Sequence, residues 1–180
     1  MDSLYYRVKR TALGPISIIW KAAPDLRVKR ILLPTHIGVL KTEYPEATPL
    51  TNEVVDEFSE DISRFLEGDD TYFNLRILDL DSCSSFQRRV LLAEYTIPRR
   101  WVSTYGRIAL HLGNVNGARA VGRALATNPF PLAIPCHRAV RSNGALGGYQ
   151  GGEEMKRRLL KMERVSFTAS GRVLLDKVYY

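Results

Sequence analysis

The sequence predicts an α+β protein in two parts, and three features of its apolar pattern lead to that prediction. Residues 14–34 alternate apolar with smaller or mixed side chains, which is the period of strands. Residues 54–66 repeat apolar side chains on one helical face, and beyond Ser82 the helical period dominates. We therefore expect an N-terminal α/β domain over residues 1–82 and a mostly helical domain over residues 83–180.

The N-terminal domain is expected to be a small antiparallel sheet with a helix packed on it. Two strands flank a turn at residues 22–25. Either Thr51 or Asn52 caps the helix, which ends at Gly68. Residues 72–80 are predicted to form one more strand.

The C-terminal domain is expected to contain a helix-turn-helix. Either Ser84 or Ser85 caps a first helix, which Pro98 ends because its ring cannot continue a helix. Two short helices then flank a tight Gly/Asn turn, with the three elements at residues 104–112, 113–117 and 118–127. An amphipathic helix is predicted over residues 153–165, and the tail beyond Thr168 is a linker candidate.

Charge and composition limit the classes of function. The chain has 26 basic and 19 acidic residues, and between residues 99 and 172 thirteen basic residues face three acidic ones. This excess favours a polyanion as partner, with a merely solvated basic surface as the alternative. No apolar run is long enough for a bilayer, so we expect an intracellular, cytoplasmic protein that does not bind membranes. Two cysteines and three histidines at these spacings predict no metal and no cofactor.

The stretch AIPCHRAV, residues 133–140, sets a thiol beside an imidazole. A buried cysteine is most often a small apolar side chain, but Cys136 follows a strand-like segment and precedes a base, His137. Neighbouring strand residues point to opposite sides, so His137 reaches the sulfur directly only if the backbone turns; otherwise a water carries the proton. The histidine also needs a carboxylate, and Glu163 is preferred because the helix dipole already explains Glu153 and Glu154.

The second helix of the predicted helix-turn-helix has a face that a partner can approach closely. Its small residues are Ala118, Ala120, Gly122, Ala124 and Ala126, and Arg119 and Arg123 lie on successive turns. In a basic domain this favours DNA binding, while a helical hairpin used only for packing is the alternative.

Several motifs in one order identify a family resemblance. IPCHR, preceded by STYGRIA, ARAVGRAL and NPFPLA and followed by NGALGGYQGG and KRRLLKME, resembles the C-terminal domain of the O6-alkylguanine-DNA alkyltransferases. The match runs nearly without gaps from about Phe86 to Glu163, whereas the first 80 residues match only in their coarse α+β pattern. The resemblance implies an RNase H-like N-terminal lobe and a direct-reversal DNA repair protein.

The resemblance also implies the catalytic residues. Cys136 takes the alkyl group from O6 of a flipped-out guanine, His137 activates the thiol through a water, and Glu163 polarises the histidine. Asn128 braces the active-site turn, and Tyr105 hydrogen-bonds the guanine edge. Because a neighbouring histidine cannot hydrolyse a thioether, each molecule is expected to act once.

The DNA contacts are implied in the same way. Arg119 is the finger that fills the vacated base stack, and the second helix enters the minor groove of double-stranded DNA that contains O6-alkylguanine. The other residues expected at the DNA are Thr104, Tyr105, Ala118, Ala120, Gly122 and Arg123. Gly148, Tyr149 and Gln150 belong to the loop that closes over the base. The protein is expected to be a monomer.

Three residues depart from the family pattern. Arg100 stands where glycine is usual, Ala139 replaces the usual valine, and Gln150 stands where some members have a serine near the guanine oxygen. Arg138 is expected to support the turn, and Cys83 to be a structural thiol.

Other functions fit parts of the pattern. One is an alkyltransferase-like protein that binds lesions without transfer, but such proteins typically lack the cysteine. A cysteine hydrolase using Cys136, His137 and Glu163 gives no reason for Arg119, and a plain DNA-binding module with a buried cysteine leaves the thiol unused.

Overall fold

The computed structural model describes residues 3–36 and 38–180, and their contacts divide into two units. The first unit comprises the residues up to Ser82 together with Pro129–Ala133, and the second comprises Cys83–Asn128 and Ile134–Tyr180. The division differs from the expected 83–180 domain because residues 129–133 pack with the first unit, where the Pro129 carbonyl accepts a hydrogen bond from the amide of Ile31 (2.8 Å). None of the described helices has the length and apolar character to span a bilayer.

The first unit is built on a four-stranded sheet in the order β3-β2-β1-β4. β1 (Leu4–Thr11) pairs antiparallel with β2 (Gly14–Lys21), and β2 pairs antiparallel with β3 (Arg27–Leu32). β4 (Thr48–Pro49), reached through the short helix α1 (Val39–Glu43), runs parallel to β1. The expectation of a purely antiparallel sheet is therefore wrong at this edge, and β1 lies outside the predicted strands.

The predicted helix of the first unit is confirmed as α2 (Glu53–Glu67). Asn52 is its cap, because the side-chain oxygen accepts hydrogen bonds from the amides of Val54 and Val55. Gly68 ends the helix in the left-handed conformation, at φ 111°. The buried face carries Val55, Phe58, Ile62, Phe65 and Leu66.

The strand predicted over residues 72–80 is wrong. The chain forms two single 3₁₀ turns there, Leu75–Ile77 and Leu80–Ser82, and only Leu78 makes a bridge, with Val28. The side chain of Asn74 caps the first turn by accepting from the Arg76 amide, which gives the backbone a local alternative to a ladder. Phe73, Ile77, Leu78 and Leu80 are buried although the segment is irregular, whereas Tyr72 is exposed.

The second unit contains the four predicted helices. These are α3 (Ser85–Thr96), α4 (Tyr105–His111), α5 (Ala118–Ala126) and α6 (Gly152–Met162). Ser84 caps α3 by accepting from the Gln87 amide, and Thr104 caps α4 by accepting from the Arg107 amide. A two-residue parallel pair, β5 (Ser103–Thr104) with β6 (Ala139–Val140), lies beside the helices.

The C-terminal tail packs onto the second unit and is not a linker. Phe167 pairs with Val173, and Val178 pairs with Val102 in single bridges. Val173 and Val102 belong to one buried apolar cluster, so the tail closes part of this unit's core.

Replacing Asn52 by alanine is expected to lower the free energy of unfolding by about 1 kcal/mol, because two amides of the first turn lose their acceptor. Denaturant unfolding of the full chain measures the change. Thr51→Ala is the control, since its side chain does not cap α2 in the structure. A larger loss from Thr51→Ala than from Asn52→Ala would contradict the assignment.

Candidate active site

The segment that carries Cys136 turns sharply instead of continuing as a strand. Pro135, at φ −79° and ψ 58°, leads into a 3₁₀ turn over Cys136–Arg138, and β6 follows. The amide of Cys136 donates to the carbonyl of Ile134, and the amide of Arg138 donates to that of Pro135, both at 2.8 Å. Ile134 is buried and lies in a β-bridge, as expected of a strand-like residue, and the backbone turns from Pro135 onward.

Cys136 is buried and braced by Asn128. The thiol residue is 4% exposed, and the Asn128 amide donates to the Ile134 carbonyl (3.0 Å) and makes a hydrogen bond to the Cys136 side chain. Burial raises the pKa of Cys136 to about 12, although the Asn128 contact and Lys156 act in the opposite direction. The thiol is therefore protonated at neutral pH, and a nucleophilic thiolate requires a base.

A buried carboxylate connects the turn to the end of α6. Oε1 of Glu163 lies 2.9 Å from Nε2 of His137 and 2.7 Å from Nη2 of Arg138. Oε2 of the same residue accepts from Nε of Arg138 at 2.9 Å. Arg138 also donates to the carbonyl of Ile97 at 2.6 Å, so it ties the turn to the end of α3 as well. The expected supporting role of Arg138 thus has a specific geometry, a two-point contact with Glu163.

The charges of this cluster are well defined. Burial by itself would raise the pKa of Glu163, but His137 and Arg138 outweigh it and hold the value at about 2. Burial lowers the pKa of His137 below its ordinary value, in spite of Glu163. The imidazole is therefore neutral at neutral pH, with Nε2–H directed at Glu163. Nδ1 is left as the basic nitrogen that can take a proton.

Tyr105 opens α4 at a place where two glycines leave room for its ring. A Cβ on Gly122 of α5 would lie 3.8 Å from the ring, and a Cβ on Gly147 would lie 2.7 Å from the hydroxyl. The Tyr105 hydroxyl also accepts a hydrogen bond from the ammonium of Lys156 at 3.4 Å. Burial raises the pKa of Tyr105 to about 12, so this hydroxyl keeps its proton and can donate it.

The loop of residues 147–151 is held against the same group of residues. The side-chain amide of Gln150 donates to the Asn128 carbonyl at 2.6 Å, and the Gly148 carbonyl accepts from Lys156 at 3.2 Å. The ring of Tyr149 stands edge-on to His137, with centroids 6.3 Å apart. The residues predicted to line the base pocket are therefore brought next to the predicted catalytic residues.

The expected DNA-binding helix presents its arginines to solvent. Arg119 and Arg123 are exposed, whereas Val121 and Leu125 pack inside the unit. The small residues Ala118, Ala120 and Gly122 are half-buried beside these arginines on α5. Thr104 is buried and its hydroxyl caps α4, so at this helix start the accessible side chain is that of Tyr105.

Two fully buried charged residues of the site lie outside the sequence predictions. Glu94 follows Val90 and Leu91 by four and three residues on α3, and Lys156 precedes Leu159 and Leu160 by three and four on α6. A charged residue on the otherwise apolar face of a predicted helix is the sequence feature that identifies Glu94 and Lys156. Among residues 3–36 and 38–180, no group of three or more His, Cys, Asp or Glu side chains is placed to hold a metal ion.

The fold and the site define a protein with a buried cysteine on a turn, followed by a histidine that is paired with a buried carboxylate. A family model for the DNA-binding domain of 6-O-methylguanine DNA methyltransferase matches residues 85–165. A methylated-DNA--protein-cysteine methyltransferase from Methanothermobacter thermautotrophicus is 43% identical over 129 residues, which cover 72% of this chain and 70% of the relative.

Solved structures agree with the sequence relatives over most of the chain. The O6-methylguanine methyltransferase of Mycobacterium tuberculosis is 30% identical with a TM-score of 0.77, covering 89% of this chain and 93% of that one. Mycobacterium tuberculosis OGT in complex with DNA is 31% identical with a TM-score of 0.75, covering 89% and 92%. The chain belongs to the methylated-DNA--protein-cysteine methyltransferase family.

Gly147→Ala is expected to lower the free energy of unfolding by roughly 1–3 kcal/mol, because the residue has φ +71° and its new Cβ would press on the Tyr105 hydroxyl. Gly148→Ala is the matched control, since a Cβ there meets nothing within 4 Å. Denaturant unfolding of both variants gives the comparison. Equal stability of the two variants would show that Tyr105 and the loop are not packed as described.

Proposed function

We propose that this protein repairs O6-alkylguanine in double-stranded DNA by moving the alkyl group irreversibly onto Cys136. The observation that carries the proposal is a buried cysteine on a turn that Asn128 braces, followed directly by a histidine paired with a buried carboxylate. The family membership and the DNA complex of a close structural relative support DNA as the partner. We place the activity in the cytoplasm, which two unbridged thiols favour, and expect the chain to act as a monomer.

The reaction is an in-line displacement at carbon. The sulfur of Cys136 forms a bond to the alkyl carbon, and the bond between that carbon and O6 of guanine breaks, with its electron pair going to the purine. The thiol proton passes to Nδ1 of His137, through a water, and Glu163 stabilises the resulting imidazolium. The Tyr105 hydroxyl donates to the guanine edge, so the leaving purine does not depart as a bare anion.

The neutral resting state of the pair suits this sequence of proton transfers. A protonated thiol and a neutral imidazole exchange one proton, and the buried Glu163 carboxylate makes the charged product state of His137 accessible. The product is a thioether, which a histidine and a carboxylate cannot hydrolyse. Each molecule therefore transfers one alkyl group, and the protein is a stoichiometric acceptor.

The second unit also offers what extrusion of the base needs. Taking a nucleotide out of the duplex costs a few kcal/mol, which inserted and phosphate-binding side chains offset. Arg119 is exposed at the start of α5 and can fill the vacated stack, while Ala118, Ala120 and Gly122 let the helix approach a narrow minor groove. Arg123 is exposed one turn further along α5, whereas Thr104 is buried and acts through the start of α4 that it caps. The loop residues Gly148, Tyr149 and Gln150 receive the base.

Duplex DNA carrying labelled O6-methylguanine is expected to leave one label per protein molecule, on Cys136. Mass spectrometry of the digested protein locates the label and counts it. Cys83→Ser is the control, because this second thiol lies outside the site and its loss should not change labelling. Cys136→Ala should abolish it.

The other outcomes of this experiment identify the rival functions. Release of many labels per molecule would indicate a cysteine hydrolase. Binding without any labelling would indicate a lesion-binding protein or a plain DNA-binding module. Either result contradicts the proposal.

Arg119→Ala is expected to slow transfer from duplex DNA by at least about fivefold, because a lost wedge raises the cost of extrusion by roughly 1–3 kcal/mol. Transfer from the free base O6-benzylguanine should be unchanged, since no base is extruded. Single-turnover rates with both substrates measure whether the substitution slows transfer from duplex DNA alone. Arg76→Ala, an exposed arginine of the first unit, controls for net charge, and an equal loss in this variant would contradict the role of Arg119.

A further inference from the structure

Arg141 is an exposed cation at the edge of the active site that the proposed reaction does not use. It follows β6 directly, as Tyr105 follows β5. The two strands run parallel, and their register pairs Thr104 with Val140, the residues that precede Tyr105 and Arg141. Because parallel strands end at the same edge of a sheet, the backbone of Arg141 leaves this edge beside the backbone of Tyr105.

The backbone of Arg141 is held in a tight turn. Its amide donates to the Ala145 carbonyl, and its carbonyl accepts from the Gly144 amide, both at 2.9 Å. The side chain of Asn143 accepts from the Ala145 amide at 3.1 Å. The Gly144 carbonyl accepts from the Val173 amide at 2.8 Å, which ties the turn to the C-terminal tail. The base of the Arg141 side chain therefore has a defined position.

The guanidinium of Arg141 differs from those of two other arginines of the second unit. Arg138 binds the Glu163 carboxylate, and Arg107 donates to the carbonyl of Tyr180. Within the part of the chain that the structure describes, the Arg141 side chain makes no hydrogen bond and no ion pair. Its N–H donors are therefore available to a ligand.

The charge of Arg141 acts on two side chains of the site. Burial raises the pKa of Tyr105 to about 12, and Arg141 acts against that rise. Burial lowers the pKa of Lys156 to about 8, and Arg141 adds to that decrease. Lys156 donates to the Tyr105 hydroxyl and to the Gly148 carbonyl. The cation therefore lies near the place where Tyr105 meets the loop of residues 147–151, as the strand register indicates.

An extruded nucleotide brings negative charge to this edge of the site. In the proposed function the base lies beside Tyr105, while the phosphates on either side of the nucleotide stay on the DNA backbone outside the pocket. A phosphate is bound by donors that it can approach from solvent, and the planar guanidinium of arginine offers a pair of parallel N–H donors. Arg141 combines such donors with a fixed backbone next to Tyr105.

We propose that Arg141 binds a backbone phosphate next to the extruded O6-alkylguanine and so holds this nucleotide in the site during transfer. The inference rests on the proposed function, because the nucleotide that Arg141 holds is the one that donates its alkyl group to Cys136. Arg141 makes no contact with the base in this proposal and moves no proton.

The test compares full-length wild type, Arg141→Ala and Lys161→Ala in single-turnover transfer from duplex DNA that carries O6-methylguanine. Lys161→Ala is the matched control, because it removes one charge from an exposed position on α6. Arg141→Ala should be at least about threefold slower than wild type at about 50 mM salt, and the difference should shrink towards about 200 mM as counterions compete for the phosphate. Lys161→Ala should follow the wild type. Transfer from O6-benzylguanine, which has no phosphate, should be the same in all three proteins.

Neutral methylphosphonate linkages identify the phosphate that Arg141 binds. One duplex carries the linkage on the 5′ side of O6-methylguanine, and a second duplex carries it on the 3′ side. The wild-type rate should fall by at least about threefold with one of the two. Arg141→Ala should lose less than wild type with that same duplex, because the partner of the phosphate is already absent. On the unmodified duplex, Arg141→Lys keeps the charge and should be nearer to wild type than Arg141→Ala.

The outcomes separate this inference from the proposed function. Wild-type protein that transfers nothing overturns the proposed function and the phosphate contact with it. If wild type is active, an Arg141→Ala rate that is unchanged, or reduced equally at every salt concentration or with O6-benzylguanine, overturns the role of Arg141 alone. Equal losses of wild type and Arg141→Ala with both methylphosphonate duplexes do the same. A salt-dependent loss on duplex DNA alone, together with a smaller loss than wild type at one neutral linkage, supports the proposal.

Discussion

The Glu163 carboxylate, buried without exposure to solvent, is the constraint on which the second unit depends. An isolated charge in such a place is very costly, so its partners must be fixed, and Arg138 and His137 occupy both of its oxygens. Since Glu163 ends α6 and Arg138 also binds the Ile97 carbonyl, one ion cluster joins α6, the active-site turn and the end of α3. Removing one partner of such a cluster typically costs roughly 3–5 kcal/mol. The same bonds that hold the turn also set the direction in which His137 can move a proton.

A site built in this way favours a reaction that occurs once. Burial raises the pKa of the Cys136 thiol and lowers the pKa of His137, so both groups are neutral at rest, and the proposed reaction requires one proton to pass between them. A hydrolase would have to return its cysteine to the free state after each cycle. Formation of a stable thioether needs no such return, so a tightly packed interior is compatible with the chemistry.

The sequence predicted those parts of the structure that depend on residues close together in the chain. Side-chain caps such as Ser84 and Asn52 are local features, and the helices follow from them. The turn at Cys136 was implied by the family resemblance, because the local pattern left open whether the backbone turns there. The prediction of a strand over residues 72–80 was wrong because the side chain of Asn74 caps a 3₁₀ turn there. An irregular segment that buries several apolar side chains has the same apolar pattern in the sequence as a strand. The parallel edge strand β4 and the packing of residues 129–133 with the first unit depend on contacts distant in sequence. Glu94 and Lys156 stand on apolar helix faces, a signal that the sequence contains, but the groups that surround each of them depend on how the helices pack.

The ionisation of Cys136 in the DNA-free protein shows whether its sulfur depends on His137 and Glu163 to become a nucleophile. The ultraviolet absorbance of the thiolate, followed against pH in the full-length Cys83→Ser protein, isolates this one sulfur. We expect no thiolate until the pH is well above the ordinary range of a cysteine, because burial raises the pKa of Cys136 to about 12. A thiolate already present at neutral pH would contradict it, since the sulfur would then need neither His137 nor Glu163 to become a nucleophile.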